Sequence, residues 1–272
     1  MLALVELAKD PYERKARLAP GLLAALPLLV PLVCVYGTRH PILTGLVALL
    51  AGCGAMYTLS SVARVRGKKL EDRLVKGWGG MPTTLALRHR DQTLDSVSKR
   101  RYHDAIVSKL GIAMPSAEEE EADPAKADDT YIGATKRLRE LTRSNKSLLL
   151  KENIAYGFHR NMLAMKPIGI VTCLLGLLYG LVLAGVIELD PLAVNLVNLA
   201  RPGLAAAMTL VICVALLASW LFYFDADAVK RIGFAYAERL FECLPSLPSV
   251  VKKKKAVAAP FEKEGVVRPE GP

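Results

Sequence analysis

Four stretches of the chain contain no Asp, Glu, Lys, Arg or His: Leu18 to Tyr36, Ile42 to Val62, Ile168 to Ile187 and Leu204 to Phe224. Each has 19 to 21 residues, and a helix of about 20 residues crosses a hydrocarbon core about 30 Å thick. Such runs predict four transmembrane helices rather than buried helices of a soluble protein. The absence of charge within them argues against a proton-coupled or ion-coupled transporter, whose pathway normally needs ionisable groups.

The sequence also lacks the motifs of common enzyme and metal sites. None of its five cysteines or four histidines has metal-ligand spacing, and it has no glycine-rich phosphate loop or nucleophile elbow. We therefore expect no catalytic residue, no metal and no cofactor. A weaker hypothesis is an enzyme that acts on lipid headgroups through His103, Asp104 and His159. Adjacent residues on a helix do not face each other, so no acid–base pair is formed by spacing.

The basic residues predict the topology. Outside the four apolar stretches, 34 Lys and Arg lie in the N-terminal segment, the middle segment and the C-terminal tail, and the two short connections carry only Arg39 and Arg201. The positive-inside rule then puts both termini and the middle segment in the cytoplasm of a bacterium, with the helices in the inner membrane. The net charge of +10 has an alternative explanation in nucleic-acid binding, but orientation in the membrane accounts for it more simply.

No run of four to eight residues alternates in the way that a half-buried strand requires. We predict an all-α integral membrane protein in which two transmembrane helical hairpins flank a helical cytoplasmic domain. The predicted parts are a cytoplasmic N-terminal segment (1–17), transmembrane helices 1 and 2 (18–62), a cytoplasmic helical domain (63–166) with an acidic linker (115–129), transmembrane helices 3 and 4 (168–224), a cytoplasmic amphipathic helix (225–244) and a disordered basic tail (245–272). The linker is expected to be exposed and mobile, because it is acidic and poor in apolar residues.

Small residues recur at a spacing of four in two of the apolar stretches. The second stretch contains Ala48 and Gly52, and the third contains Gly176, Gly180 and Ala184. This spacing lets the backbones of neighbouring helices approach closely in a bilayer. The partner helix is either in the same chain or in a second copy, and packing within the chain is the simpler use.

Two groups of polar residues are candidates for ligand or partner binding. Lys136, Arg139, Arg143 and Lys146 recur at steps of three or four, so that one helical face would offer several charges to the phosphates of a nucleotide. Glu152, Asn153, Tyr156 and Arg160 lie on neighbouring turns just before the third apolar stretch. The alternatives are a solvated helix face for the first group and a belt at headgroup level for the second.

In the order of its apolar stretches and its soluble segment, the chain resembles bacterial four-span membrane effectors of antiphage signalling systems. The resemblance implies a cytoplasmic domain that senses a ligand or partner and alters the membrane part, with an oligomeric pore as one outcome. The uncharged stretches do not exclude such a pore, because oligomers can gate through an apolar constriction. The expected partners are the lipid bilayer, further copies of the chain, and a cytoplasmic protein or a nucleotide. The alternative is an anchor or scaffold that docks a soluble protein or nucleic-acid complex at the inner membrane.

Overall fold

The computed structural model describes residues 10–36, 41–143 and 148–249, and these are predominantly helical. A π-helical turn, Glu13–Leu18, leads into the first α-helix. The α-helices are α1 (Ala19–Tyr36), α2 (Pro41–Trp78), α3 (Pro82–Leu85), α4 (Ser96–Leu110), α5 (Ala117–Ala122), α6 (Pro124–Leu141), α7 (Leu148–Leu183), α8 (Gly203–Phe222) and α9 (Ala226–Phe241). Between α7 and α8 lie two antiparallel strands, β1 (Ile187–Leu189) and β2 (Leu192–Val194), and a 3-10 helix, Leu196–Ala200. A second 3-10 helix, Leu244–Ser246, follows α9.

Three of the described helical segments are long and apolar enough to cross a membrane. They are Glu13–Val35, Leu149–Leu183 and Gly203–Phe222. The remaining predicted span, Ile42 to Val62, lies within α2 and is helical throughout. Most side chains in its first half, including that of Ala48, lie outside the described residues, and so do the surroundings of Gly52.

The chain divides into two compact units. The described parts of Met1–Pro82 and Asn145–Ala237 form one, called here the long-helix unit. The described parts of Thr83–Ser144 and Glu238–Pro272 form the other, the short-helix unit. Each unit is therefore assembled from two separate stretches of sequence.

Helix α7 is the central element of the long-helix unit and packs against α1, α2 and α8. Its glycines allow this close packing. A Cβ added at Gly176 would lie 2.6 Å from the Cys213 sulfur and 2.8 Å from the Pro27 carbonyl oxygen, and one at Gly180 would lie 2.9 Å from Leu210. The two predicted packing glycines of α7 thus lie in close contacts within the chain, whereas Ala184 lies just beyond the end of α7.

Helix α7 ends earlier than the third predicted span. Gly185 adopts a left-handed conformation with φ of 70°. The N–H of Val186 donates to Leu181 and that of Gly185 to Val182, both at 3.0 Å, which is the hydrogen-bond pattern of a Schellman motif. The prediction that the span continues to Ile187 was therefore wrong, because a glycine terminates the helix first. The prediction of an exclusively helical chain also missed the two short strands, which are too short to give an alternating pattern.

The short-helix unit has its own core, formed by Leu87, Ile106, Tyr131 and Leu138 together with side chains from α9 and the turn after it. Phe241 of α9 lies against Tyr102, with ring centroids 5.2 Å apart. The Lys109 ammonium donates to the Leu247 carbonyl oxygen at 2.8 Å. The tail is therefore ordered at its start, contrary to the prediction of disorder from residue 245, and residues 250–272 lie outside the described residues.

The predicted linker, 115–129, is helical instead. Ser116 and Glu119 form a reciprocal capping box that starts α5, and Asp123 caps α6 with Pro124 at its first position. Glu120, in the middle of the acidic run, is 2% exposed. Its carboxylate accepts the Tyr131 hydroxyl at 2.6 Å and the backbone N–H of His89 at 2.7 Å. The acidic segment is ordered because some of its carboxylates cap helices and Glu120 accepts hydrogen bonds from buried donors.

Candidate functional site

A buried polar cluster joins three helical elements of the long-helix unit. We call it the Glu71 cluster; it comprises Glu71 of α2, Tyr156, Arg160 and Asn161 of α7 and, at its exposed edge, Lys68 of α2. Glu71, Tyr156 and Arg160 are between 6% and 8% exposed, and Asn161 is fully buried. Polar side chains this deep within a protein require partners, because an unpaired buried charge or amide is costly.

The Glu71 carboxylate has three donors. Its Oε1 accepts the Tyr156 hydroxyl at 3.0 Å and Nη1 of Arg160 at 3.1 Å, and its Oε2 accepts the Lys68 ammonium at 2.9 Å. Burial by itself opposes ionisation, but the charges of Arg160 and Lys68 outweigh it and hold the pKa of Glu71 below its ordinary value. The carboxylate is therefore ionised at neutral pH and acts as the acceptor that ties α2 to α7.

Asn161 links the same cluster to the start of the first helix. Its Oδ1 accepts two N–H groups of Arg160 at 3.2 Å, and its Nδ2 donates to the Ala16 carbonyl oxygen at 2.5 Å. That carbonyl would ordinarily bond to the N–H four residues ahead, but position 20 is a proline and carries none. The Asn161 side chain thus supplies this carbonyl with a donor from another helix.

Gly67 gives the Asn161 side chain its space. A Cβ at this position of α2 would overlap Oδ1 of Asn161. Glu71, Tyr156, Arg160 and Asn161 all have hydrogen-bond partners within the protein, and only Lys68 at the edge of the cluster is exposed, with 64% of its side chain accessible. The cluster can hold three helical elements together, but it offers no free base or nucleophile to a substrate.

The short-helix unit carries an open cleft instead. It has a volume of about 710 Å³, within the range of small-molecule sites. It lies at the start of α4, next to the loop before that helix and to the segment that leads into α5. Its titratable lining residues are His89, Asp91, Asp95, Lys99, Arg100, His103 and Asp104.

Two histidines form one wall of the cleft. Their rings meet edge to face, with centroids 4.8 Å apart. Nε2 of His103 lies 2.8 Å from the Leu87 carbonyl oxygen, and Nε2 of His89 lies 3.0 Å from that of Pro115. A carbonyl only accepts, so both Nε2 atoms carry the proton. Burial lowers the pKa of His103, so its ring is neutral at neutral pH, with Nδ1 as its acceptor.

The other charged groups of the cleft differ in burial and in whether they are hydrogen-bonded. The Lys99 ammonium is buried and donates to the backbone carbonyls of Asp91 and His89. Asp95 caps α4 through the N–H of Ser98 at 2.8 Å. Arg100 and Asp104 are exposed. The cleft therefore has charges of both signs. Among the described residues, no group of three or more His, Cys, Asp or Glu could hold a metal ion.

The structure places the predicted binding residues in three different settings. Tyr156 and Arg160 join the Glu71 cluster, whereas Glu152 and Asn153 are half-buried near the start of α7. Lys136 and Arg139 are exposed on α6. Helix α6 ends at Leu141, so the predicted four-residue face is not continuous: Arg143 lies exposed beyond the helix end and Lys146 lies outside the described residues. Thr142 is the C-cap of α6, and its hydroxyl donates to the Leu138 carbonyl oxygen at 2.8 Å.

Lys68, Glu71 and Asn161, which complete the cluster, were not among the residues predicted from the sequence. One signal for Asn161 was present, since Pro20 leaves a carbonyl in an apolar helix that needs a donor from elsewhere. Glu71 had no comparable signal, because it lies among many charged residues on a polar stretch of helix.

No protein-family model, curated protein or solved structure matches this chain. The functional conclusion therefore depends on its own residues.

Proposed function

We propose that the protein is a four-span effector of a bacterial inner membrane. Its cytoplasmic part receives a ligand or a partner, and this event changes the arrangement of the transmembrane helices. One observation carries the proposal. Helices α2 and α7 are 38 and 36 residues long, and each joins a polar segment to an apolar one within a single helix, α7 with Pro167 inside it. Their polar parts are joined by Glu71 and Arg160.

A continuous helix transmits a displacement along its axis, because no loop lies between its ends to absorb it. A shift of the polar part of α7 would therefore move its apolar part. The Glu71 cluster is the point at which such a shift meets resistance, since its hydrogen bonds join α7 to α2 and to the turn before α1. Two arrangements of this cluster would give two arrangements of the apolar helices.

Three apolar helices of membrane-crossing length support the membrane part of this proposal, and the fourth span is the uncharged stretch within α2. The apolar helices of several copies would line a pore that opens by wetting, which needs no charge in the wall. The cleft of the short-helix unit is the site proposed for the ligand, because it is open and has the size of a small-molecule site.

The test uses bacteria that express the full chain and carry a membrane-potential dye. We expect depolarisation when the cells are infected by phage, or when the chain is overproduced and oligomerises. Glu71→Gln should abolish depolarisation, and Asp72→Asn on the neighbouring exposed residue should retain it, with equal amounts of both variants in the membrane fraction. An unchanged potential in wild-type cells under both conditions would rule out the effector.

A membrane scaffold is the second candidate, and the exposed side chains of Lys136, Arg139 and Arg143 favour it. A basic surface of this kind could dock an acidic protein or a nucleic acid. Purification in mild detergent separates the two candidates. A stoichiometric soluble partner that is lost on Arg139→Glu supports the scaffold, and a self-assembled oligomer without that partner supports the effector.

A further inference from the structure

The connection between α7 and α8 exposes an unusual number of apolar side chains. Leu192 and Val197 are 80% and 79% exposed. The other large apolar residues of this connection that are about half exposed or more are Leu189, Val194, Leu196 and Leu199. No described residue covers them, although water is a poor solvent for such side chains.

The strand register puts half of these residues on one surface. Ile187 pairs with Val194 and Leu189 with Leu192, while Glu188 pairs with Ala193. Residues directly opposite each other in an antiparallel pair point to the same side, and successive residues alternate. The hairpin therefore has a face of four large apolar side chains and an opposite face with Glu188 and Ala193. We call the first the apolar hairpin face.

Several polar groups of this connection form hydrogen bonds with one another. The N–H of Asn195 donates to the Val186 carbonyl oxygen at 2.8 Å, and its side chain accepts the N–H of Val197 at 3.2 Å. The amide of Asn198 donates to the Gly185 carbonyl oxygen at 2.7 Å. Such a segment can enter a poorly hydrated layer at low cost, because its strand and turn groups already have partners.

The flanking helices identify the surface that covers this face. The hairpin starts within one turn of the end of α7, and the 3-10 helix stops just before α8, and both helices are candidate membrane spans. A connection tied at both ends to spanning helices is held at the membrane surface. We propose that the apolar hairpin face inserts into the interfacial layer of the outer leaflet and anchors the connection there, with Glu188 directed to water. This inference rests on the proposed membrane insertion of α7 and α8.

The test places an environment-sensitive fluorophore on single cysteines of the full chain in phosphatidylcholine vesicles, with the natural cysteines replaced by alanine. Leu192→Cys probes the apolar hairpin face, and Ala193→Cys, also exposed, is the matched control on the opposite face. Leu174→Cys, on an exposed side of α7, reports whether that helix is in lipid. We expect emission at shorter wavelength from position 192 than from 193, and several-fold stronger quenching at 192 by lipids with a nitroxide near the headgroup.

The results distinguish failure of the hairpin anchor from failure of the proposed membrane insertion. A lipid signal at 174 with equal, water-like emission at 192 and 193 overturns the anchor and leaves membrane insertion standing. A label at 192 that is shielded from both water and nitroxide lipid shows a second copy on this face, which also overturns it. A water-like signal at 174 overturns the anchor together with the proposed function. If the cysteine-free chain does not fold, quenching of Leu192→Trp and Ala193→Trp by brominated lipid makes the same comparison in the natural background.

Discussion

At the scale of single residues, the Glu71–Arg160 pair is a buried ion pair whose two partners depend on each other. Glu71→Gln keeps the shape of the side chain and removes its charge, so that Arg160 is left buried without a counterion. Removing one partner of a buried pair typically costs about 3–5 kcal/mol. We expect a clearly lower unfolding temperature in detergent. Asp72→Asn is the control, because Asp72 is 58% exposed in its pair with Lys68 and such pairs contribute about 0–1 kcal/mol. Equal melting of the two variants would contradict this account of the cluster.

The same carboxylate predicts a dependence on pH. The folded protein holds the pKa of Glu71 below its ordinary value. Its contribution to stability is therefore complete above the unfolded pKa of about 4.3 and is lost as the pH falls through the folded pKa. Thermal unfolding of the wild-type protein from pH 7 to pH values below about 4 should show this loss. Glu71→Gln should lose less stability over that range, and parallel curves would refute the assignment.

Gly67 offers a prediction in which the sign of the effect is decisive. Replacing a glycine within a helix by alanine ordinarily stabilises a protein by up to about 1 kcal/mol. At Gly67 the new Cβ overlaps the Asn161 amide, so Gly67→Ala should destabilise instead. Gly77→Ala, on the same helix with nothing within 4 Å, should be neutral or stabilising. The measurement is the unfolding temperature of both variants, and a stabilised Gly67→Ala would show that Asn161 is not held in place.

At the scale of elements, helix α9 supplies part of the core of the short-helix unit. Truncation after residue 237 removes Leu240, Phe241 and Leu244, all fully buried. We expect the segment 83–143 to become sensitive to limited proteolysis. Truncation after residue 249 keeps these side chains and should leave it resistant. If both truncated chains resist equally, the end of α9 does not belong to that core.

Some helices and contacts could be predicted from the sequence, and others could not. Long uncharged runs predict α1 and α8 closely, because lipid or protein burial excludes charge along the whole length. The uncharged run that starts at Ile168 does not reveal that α7 begins at Leu148. The residues before the run include Lys and Glu, which interrupt the apolar pattern but are good helix formers. The linker prediction failed because composition outweighed the Ser116–Glu119 capping pattern, which was readable in the sequence. Glu71 binds Tyr156 and Arg160, and Asn161 binds the Ala16 carbonyl, across 85 to 145 residues of sequence. No local pattern encodes such distances.

At the scale of the whole molecule, the decisive prediction concerns topology. Val97 of the short-helix unit is 77% exposed, and Ala193 of the hairpin is exposed. In spheroplasts, a membrane-impermeant thiol reagent should label Ala193→Cys at once and Val97→Cys only after the inner membrane is opened. The cysteine-free chain gives the background. The reverse labelling order would refute the cytoplasmic location of the middle segment.

The short-helix unit is built from two distant segments of sequence, so the order of translation determines when it can fold. Residues 83–143 leave the ribosome early, but the side chains that complete their core come at 240–244, after both later apolar helices have been translated. Folding during translation starts from the N-terminus, so this unit is finished last. A chain that ends before residue 240 therefore lacks Leu240, Phe241 and Leu244 and leaves the core of the short-helix unit incomplete.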